Sequence, residues 1–152
     1  MAQYLSNELA GTTTGLTQQS AVDRAYRPKA SSVGARVKRF RATVNLATQT
    51  TSDTILLCNL PAGSTLLFGI LNATVSLGTA TIAIGISGTT GKYRAAAVFT
   101  ATDTPTMFGP AAQVGASDPA LSADEPVILT IGTASLPASG TLVVDFVVSA
   151  AN

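Results

Sequence analysis

The sequence predicts an all-β fold, in which an antiparallel β-sandwich or jelly-roll-like body follows an extended N-terminal arm. Three observations support this prediction. Apolar and polar residues alternate with a period of two in several segments, as they do in strands that bury one face. Turn signals that contain glycine or proline separate these segments. Helical periodicity is almost absent from the 152 residues, a length that suits one domain with a substantial core.

The N-terminal arm is predicted over residues 1–35, where no hydrophobic periodicity is sustained. This segment contains a polar stretch, GTTTGLTQQS, and a stretch that mixes basic residues with proline and glycine. We expect such a segment to become ordered on a partner. The sandwich domain is predicted over residues 36–152.

The first predicted strands follow the arm directly. From residue 36, apolar residues alternate with basic and polar ones, which places the bases on an exposed face: Phe40, Ala42, Val44 and Leu46 against Arg39, Arg41, Thr43 and Asn45. The segments DTILLCNL and STLLFGILNATVSL are the next two strands, with a bend or bulge expected at Gly69. The alternating segment TATIAIGIS is the fourth.

The second half of the chain mixes strands with a long connection. The alanine-rich segment KYRAAAVFTATDTP permits one or two helical turns that end before Pro105. Residues 103–126 contain four prolines and are interpreted as a long excursion. Two more strands, PVILTIGT and GTLVVDFVVSA, close the predicted sandwich.

A short phrase occurs twice, as LPAGSTLL from Leu60 and LPASGTLV from Leu136. The second copy is similar to the sortase signal L-P-x-T-G, but a membrane-spanning stretch and a basic tail do not follow it. Proline fixes φ near −65° and glycine permits a chain reversal. We therefore interpret both phrases as corners that begin two long strands.

The charge content is low, at 11% of residues against about 25% in typical domains. This composition fits a surface that faces other protein subunits, and it also fits a β protein coated with threonine and serine. Net charge is +1, but residues 24–41 carry bases and no acid, so a basic segment precedes an acidic body.

The basic segment is the candidate docking site. Its members are Arg24, Arg27, Lys29, Arg36, Lys38, Arg39 and Arg41. We favour docking onto an acidic protein surface, which includes the acidic body of a neighbouring copy. A solvated tail and strand face remains the alternative. Nucleic acid is the least favoured partner, because only Tyr26 and Phe40 could stack on bases.

Catalytic and metal-binding patterns are weak. The sequence has no histidine and one cysteine, Cys58, which is interpreted as a small buried core residue. The segment GISGTTGKY fails the phosphate-loop pattern at Ile86 and Tyr93, and a glycine-rich hairpin loop is expected instead. The adjacent acids Asp124 and Glu125 are interpreted as a solvated turn. We predict no enzymatic activity, no metal and no cofactor.

The beginning of the sequence has no basic region followed by an apolar one, so no signal peptide is predicted. No apolar run approaches the roughly 18 residues that a membrane helix requires. We expect a soluble protein that is made in a cytoplasm and has no membrane partner.

The succession of strands and turns from DTILLCNLPAGS through GTTGKYRAA, together with the closing ADEPVILTIGTASLPASGTLVVDFVVSA, resembles small structural proteins of tailed bacteriophages. The resemblance covers roughly residues 40–150. It implies a head decoration (cement) protein, with a β-sandwich or jelly-roll body that often forms trimers and clamps neighbouring capsid subunits from outside.

The expectations from this resemblance are a major capsid protein as partner, a homo-oligomer with a trimer favoured, and a place on the capsid surface after assembly in the host cytoplasm. The alternative is a tail, fibre or other minor virion component, including a module that binds the host surface.

Overall fold

A computed structural model describes residues 36–109 and 120–150 of the chain. These residues form eight strands and no helix, which confirms the predicted all-β class. The strands are β1 (Arg36–Asn45), β2 (Thr54–Leu60), β3 (Ser64–Ala73), β4 (Thr81–Ile86), β5 (Thr89–Val98), β6 (Thr106–Phe108), β7 (Glu125–Gly132) and β8 (Thr141–Ala150). The predicted arm, residues 1–35, lies outside the described part of the chain. Among the described residues, no helix is long and apolar enough to cross a membrane.

The strands form two antiparallel sheets of four, as the predicted sandwich requires. The first sheet has the order β1-β8-β3-β6, and the second has the order β2-β7-β4-β5. Fully buried side chains from both sheets fill the space between them, including Phe146 and Leu71 from the first and Ile82 and Leu129 from the second. Because burying such a side chain stabilises the fold by roughly 1.5–3 kcal/mol, this shared core holds the two sheets together.

Strand β8 shows how the sequence pattern determines the two faces of a sheet. Its even-numbered residues from Leu142 to Val148 are fully buried in the core. The odd-numbered residues therefore point to the opposite side, since successive side chains of a strand alternate. Strand β8 pairs with β1 on one side and with β3 on the other. Its odd-numbered residues consequently lie in the middle of the outer face of the first sheet.

The doubled phrase marks two of the three places where the chain passes from the second sheet to the first. One copy connects β2 to β3, and the other connects β7 to β8. Leu60 and Leu136 are buried, while Gly63 and Gly140 have φ values of 77° and 116°. The interpretation of both phrases as corners is confirmed. Because β3 and β8 pair antiparallel, the two corners lie at opposite ends of the sandwich.

The glycine-rich segment between β4 and β5 is a tight hairpin, as predicted. Ile86 pairs with Thr89, so that only Ser87 and Gly88 lie in the loop, and Gly88 has a φ of 83°. A positive φ at a hairpin turn favours glycine, which carries no Cβ.

The prediction that the alanine run forms helical turns is wrong, because residues 95–97 belong to β5. Strand β5 pairs with β4, and two register shifts interrupt that pairing. The Arg94 guanidinium donates hydrogen bonds to the carbonyl groups of Ile82, Ala97 and Val98, which satisfies acceptors at the irregular part of the strand. Sheet pairing and this arginine override the local helical preference of alanine.

The long excursion contains a short strand, β6. The bulge expected at Gly69 of β3 lies two residues before its predicted position. The register of β3 against β8 shifts at Leu67 and not at Gly69. Gly69 serves a packing role instead, since a Cβ built there would lie 2.1 Å from the Phe108 ring. That ring meets Phe146 edge to face, with centroids 5.7 Å apart.

Candidate docking surface

The seven basic residues of the predicted site divide into three groups. Three of them, Arg24, Arg27 and Lys29, lie outside the described residues. The other four are exposed on β1, which is an edge strand paired with β8 alone. Strand alternation places Arg39 and Arg41 on the outer face of the first sheet. Arg36 and Lys38 lie on the opposite side of the strand, where Lys38 is paired with the core residue Val148.

Arg41 forms an ion pair within the chain. Its Nε donates to Oδ1 of Asp145 at 2.8 Å, and its Nη2 donates to Oδ2 at 2.7 Å. The two residues are directly opposite each other on β1 and β8, and the carboxylate side chain is only 10% exposed. This bidentate geometry, with two parallel hydrogen bonds, is the strong form of an arginine–carboxylate contact. One base of the predicted docking site therefore already has an acidic partner.

The ion pair changes the acidity of the carboxyl group. The hydrogen bond from Arg41 lowers the pKa of Asp145 below its ordinary value and outweighs the opposing effect of burial, and the charges of Arg41 and Arg39 add to the lowering. The same hydrogen bond and charge raise the pKa of the Arg41 guanidinium. Asp145 is therefore ionised throughout the neutral and mildly acidic range.

The outer face of the first sheet is mainly apolar. Three of the five large apolar side chains that are exposed in the described residues belong to it: Val37 at 64%, Leu67 at 40% and Met107 at 68%. Between them lie half-buried apolar side chains of the central strands, which are Phe68, Ile70, Val143 and Val147. Sequence alternation predicted part of this face, but Met107 joins it only through the pairing of β6 with β3.

The outer face of the second sheet has a different character. Its centre consists of small residues, because Ala83 pairs with Thr130 and Thr81 pairs with Gly132. A Cβ at Gly132 would lie 2.8 Å from Oγ1 of Thr81, so this part of the sheet is closely packed. Its large apolar side chains among the described residues are Leu56 and Val98 at the two margins, 66% and 53% exposed, and the half-buried Ile128.

A cleft of about 430 Å³ lies at one end of the sandwich, beside the segment that precedes β7. Lys92 and the Tyr93 hydroxyl both donate to the carboxylate of Glu125, whose side chain is 14% exposed. Burial, and then the hydrogen bond to Glu125, raises the pKa of Tyr93 well above its ordinary value. These contacts connect β5 to β7.

The interpretation of Asp124 and Glu125 as a solvated turn is therefore wrong for Glu125, which belongs to β7, whereas Asp124 is exposed in the connection before that strand. Glu125 is engaged by Lys92 and Tyr93, and Asp124 accepts a hydrogen bond from the backbone of Ala62 at 2.8 Å. The latter contact fixes the first corner. The sequence signal was an acid beside Pro126 at the start of an apolar run, and its contact with Lys92 and Tyr93 follows from the order of the strands in the sheet.

Cys58 is half-buried and packs against the core. Burial raises the pKa of its thiol to about 11, so the residue is a neutral thiol at physiological pH. No group of three or more cysteine, aspartate or glutamate side chains that could hold a metal ion occurs within residues 36–109 and 120–150.

Comparison with known proteins gives a likeness in fold. No protein-family model matches the sequence, and no curated protein matches it. A chain of the structure described as the cyanophage Pam1 capsid asymmetric unit has a TM-score of 0.60 at 19% identity, over 77% of this chain and 86% of that one. A chain of the capsid of Ralstonia phage GP4 has a TM-score of 0.58 at 17% identity, again over 77% and 86%.

A third likeness is to a chain of the acidic stable capsid structure of Helicobacter pylori bacteriophage KHP30. Its TM-score is 0.51 at 12% identity, over 75% of this chain and 93% of that one. In all three comparisons the match covers most of the other chain. The fold described above is therefore one that chains of phage capsid structures also adopt.

Proposed function

We propose that this chain is a structural protein of a tailed-phage virion, and within it a capsid decoration (cement) protein. In this role it binds the outside of the assembled major capsid shell and stabilises it. The observation that carries the proposal is the fold, which matches 86%, 86% and 93% of the length of chains from three phage capsid structures.

The proposed activity is mechanical. A protein that binds the assembled shell but not its separate subunits stabilises the assembly, because binding lowers the free energy of that state alone. Many copies on a symmetric lattice add avidity that a single contact lacks. The chain would reach the lattice after assembly in the host cytoplasm and would form a homo-oligomer, for which we propose a trimer.

The surface of the sandwich supports a role in binding other proteins. Its first sheet exposes an apolar outer face, and soluble monomers rarely leave large apolar patches uncovered. Arg36, Lys38 and Arg39 are exposed beside or on that face. We propose that these bases, together with Arg24, Arg27 and Lys29 of the arm, meet acidic patches of the capsid or of neighbouring copies.

Removing the protein from the virion tests this function. Particles made without the chain should assemble but should lose their DNA at a lower temperature than complete particles. Adding the purified protein back should restore the original temperature. Particles that are equally stable with and without it would contradict the decoration role.

A further inference from the structure

We propose that the outer face of the first sheet is the surface that docks, and that its partner is an apolar patch of the shell bordered by carboxylates. This inference rests on the proposed function and adds to it the docking face and the chemistry that this face recognises. The second sheet then faces away from the shell.

The two outer faces differ in their apolar content. On the first sheet, Met107 and Val37 stand at the two margins, 68% and 64% exposed, and half-buried apolar side chains connect them. The second sheet exposes Leu56 and Val98 at its margins, but threonine, alanine and glycine make up most of its centre, with Ile128 the one half-buried large apolar side chain that the described residues place there. Apolar surface provides the free energy of association, and the first sheet has more of it to bury than the second, chiefly because its apolar side chains continue across the central strands.

The charges on the first sheet specify the partner further. Arg41 is neutralised by Asp145, so the face has no unpaired acid among the described residues. Arg39 is exposed, contributes to the low pKa of Asp145 through its charge, and forms no ion pair with another described residue. The face therefore has an excess of positive charge along the β1 margin, and carboxylates on the partner complement it.

The same charge pattern disfavours two other partners. If the face docked on itself in a second copy, a two-fold interface would bring like surfaces together, with no free acid to meet Arg39. Nucleic acid would leave the apolar centre uncovered, since its binding depends on neutralising several phosphates. An apolar patch with carboxylates at one side would cover the apolar centre of this face and would complement the positive charge at its β1 margin.

Two substitutions test the face, and each has a matched control. Met107→Ser removes an apolar side chain from the first sheet, and Leu56→Ser removes one of equal exposure, 66% against 68%, from the second. Arg39→Glu places a negative charge on the face, and Thr54→Glu places one at an exposed position on the outer face of the second sheet. Thermal unfolding of each variant verifies the fold, which exposed positions should leave intact.

The measurement is binding to shells of the phage that encodes the chain, prepared without it, by cosedimentation over a range of protein concentrations. We expect Met107→Ser and Arg39→Glu each to weaken binding about tenfold or more, and both controls to bind like the wild type. Binding of the wild type should weaken as the salt concentration is raised, because screening weakens the contact made by Arg39.

Three results would overturn the proposal in distinguishable ways. If the wild type does not bind shells, the decoration function itself is wrong. If it binds and Leu56→Ser is the variant that weakens binding, the second sheet is the docking face. If Met107→Ser and Arg39→Glu abolish self-association in solution and leave shell binding unchanged, the face is an interface between copies.

Discussion

Arg41 and Asp145 lie directly opposite each other on β1 and β8, and two hydrogen bonds of 2.8 and 2.7 Å join the guanidinium to the carboxylate. The two residues are 104 positions apart in the sequence. The contact joins the basic segment at the start of the domain to the acidic body at its end. It also fixes the edge strand, because β1 has no other partner in its sheet.

We expect Asp145→Asn to lower the Tm by several degrees. The asparagine keeps the size of the side chain but removes the charge that Arg41 neutralises, and it leaves a nearly buried amide opposite a guanidinium. Arg39→Ala is the control, because Arg39 is on the same strand as Arg41 and forms no ion pair with another described residue. Differential scanning calorimetry measures both variants, and equal Tm values for the two would contradict a stabilising role of the pair.

The contribution of this ion pair should persist to low pH. The pKa of Asp145 is lowered from its ordinary value of 3.8, chiefly by the hydrogen bond from Arg41. A carboxyl group with a depressed pKa adds stability that is fully present above the pKa of the unfolded chain and is lost as pH falls through the lower, folded value. The difference in Tm between wild type and Asp145→Asn should therefore be constant from neutral pH to about 4.5 and shrink below pH 4. A difference that vanishes by pH 5 would contradict this assignment.

Gly69→Ala should destabilise the sandwich by about 1–3 kcal/mol, as overpacking of a filled core does. The new methyl group would lie 2.1 Å from the Phe108 ring, which is itself packed against Phe146. Gly109→Ala is a matched control, since the nearest atom to its added Cβ is 3.8 Å away. Urea unfolding gives both free energies, and a Gly69→Ala protein as stable as the control would show that Phe108 moves aside without cost.

Cys58 should react slowly with thiol reagents in the native protein. Burial raises the pKa of its thiol from 9.0 to about 11, and only the thiolate reacts. The fraction of thiolate at pH 8 is then about a hundredfold smaller than in the unfolded chain. An aromatic disulfide reagent monitored by absorbance measures the rate in buffer and in urea, and equal rates in both would contradict the effect of burial.

The strands that could be predicted from sequence are those whose faces differ in polarity. Strand β1 alternates between core residues such as Ala42 and exposed residues such as Thr43, and the amino-acid sequence shows this period of two directly. The corners could be predicted as well, because proline and glycine restrict the backbone locally. Each of these signals is contained in a few neighbouring residues.

The features that could not be predicted depend on partners distant in sequence. The alanines of β5 favour a helix in isolation, and only pairing with β4 holds them extended. Strand β6 has three residues, too few for any period, and its pairing with β3 is what brings Met107 to the outer face. The ion pair of Arg41 with Asp145 likewise follows from the register of β1 against β8, which no local pattern specifies.

The copy number of the chain in purified virions, measured against the major capsid protein by quantitative mass spectrometry, tests the central claim most directly. A decoration protein occupies every equivalent site of the lattice, so we predict a copy number in simple proportion to that of the major capsid protein. A copy number of about a dozen or fewer would place the chain in the tail or at a vertex and would contradict the decoration role.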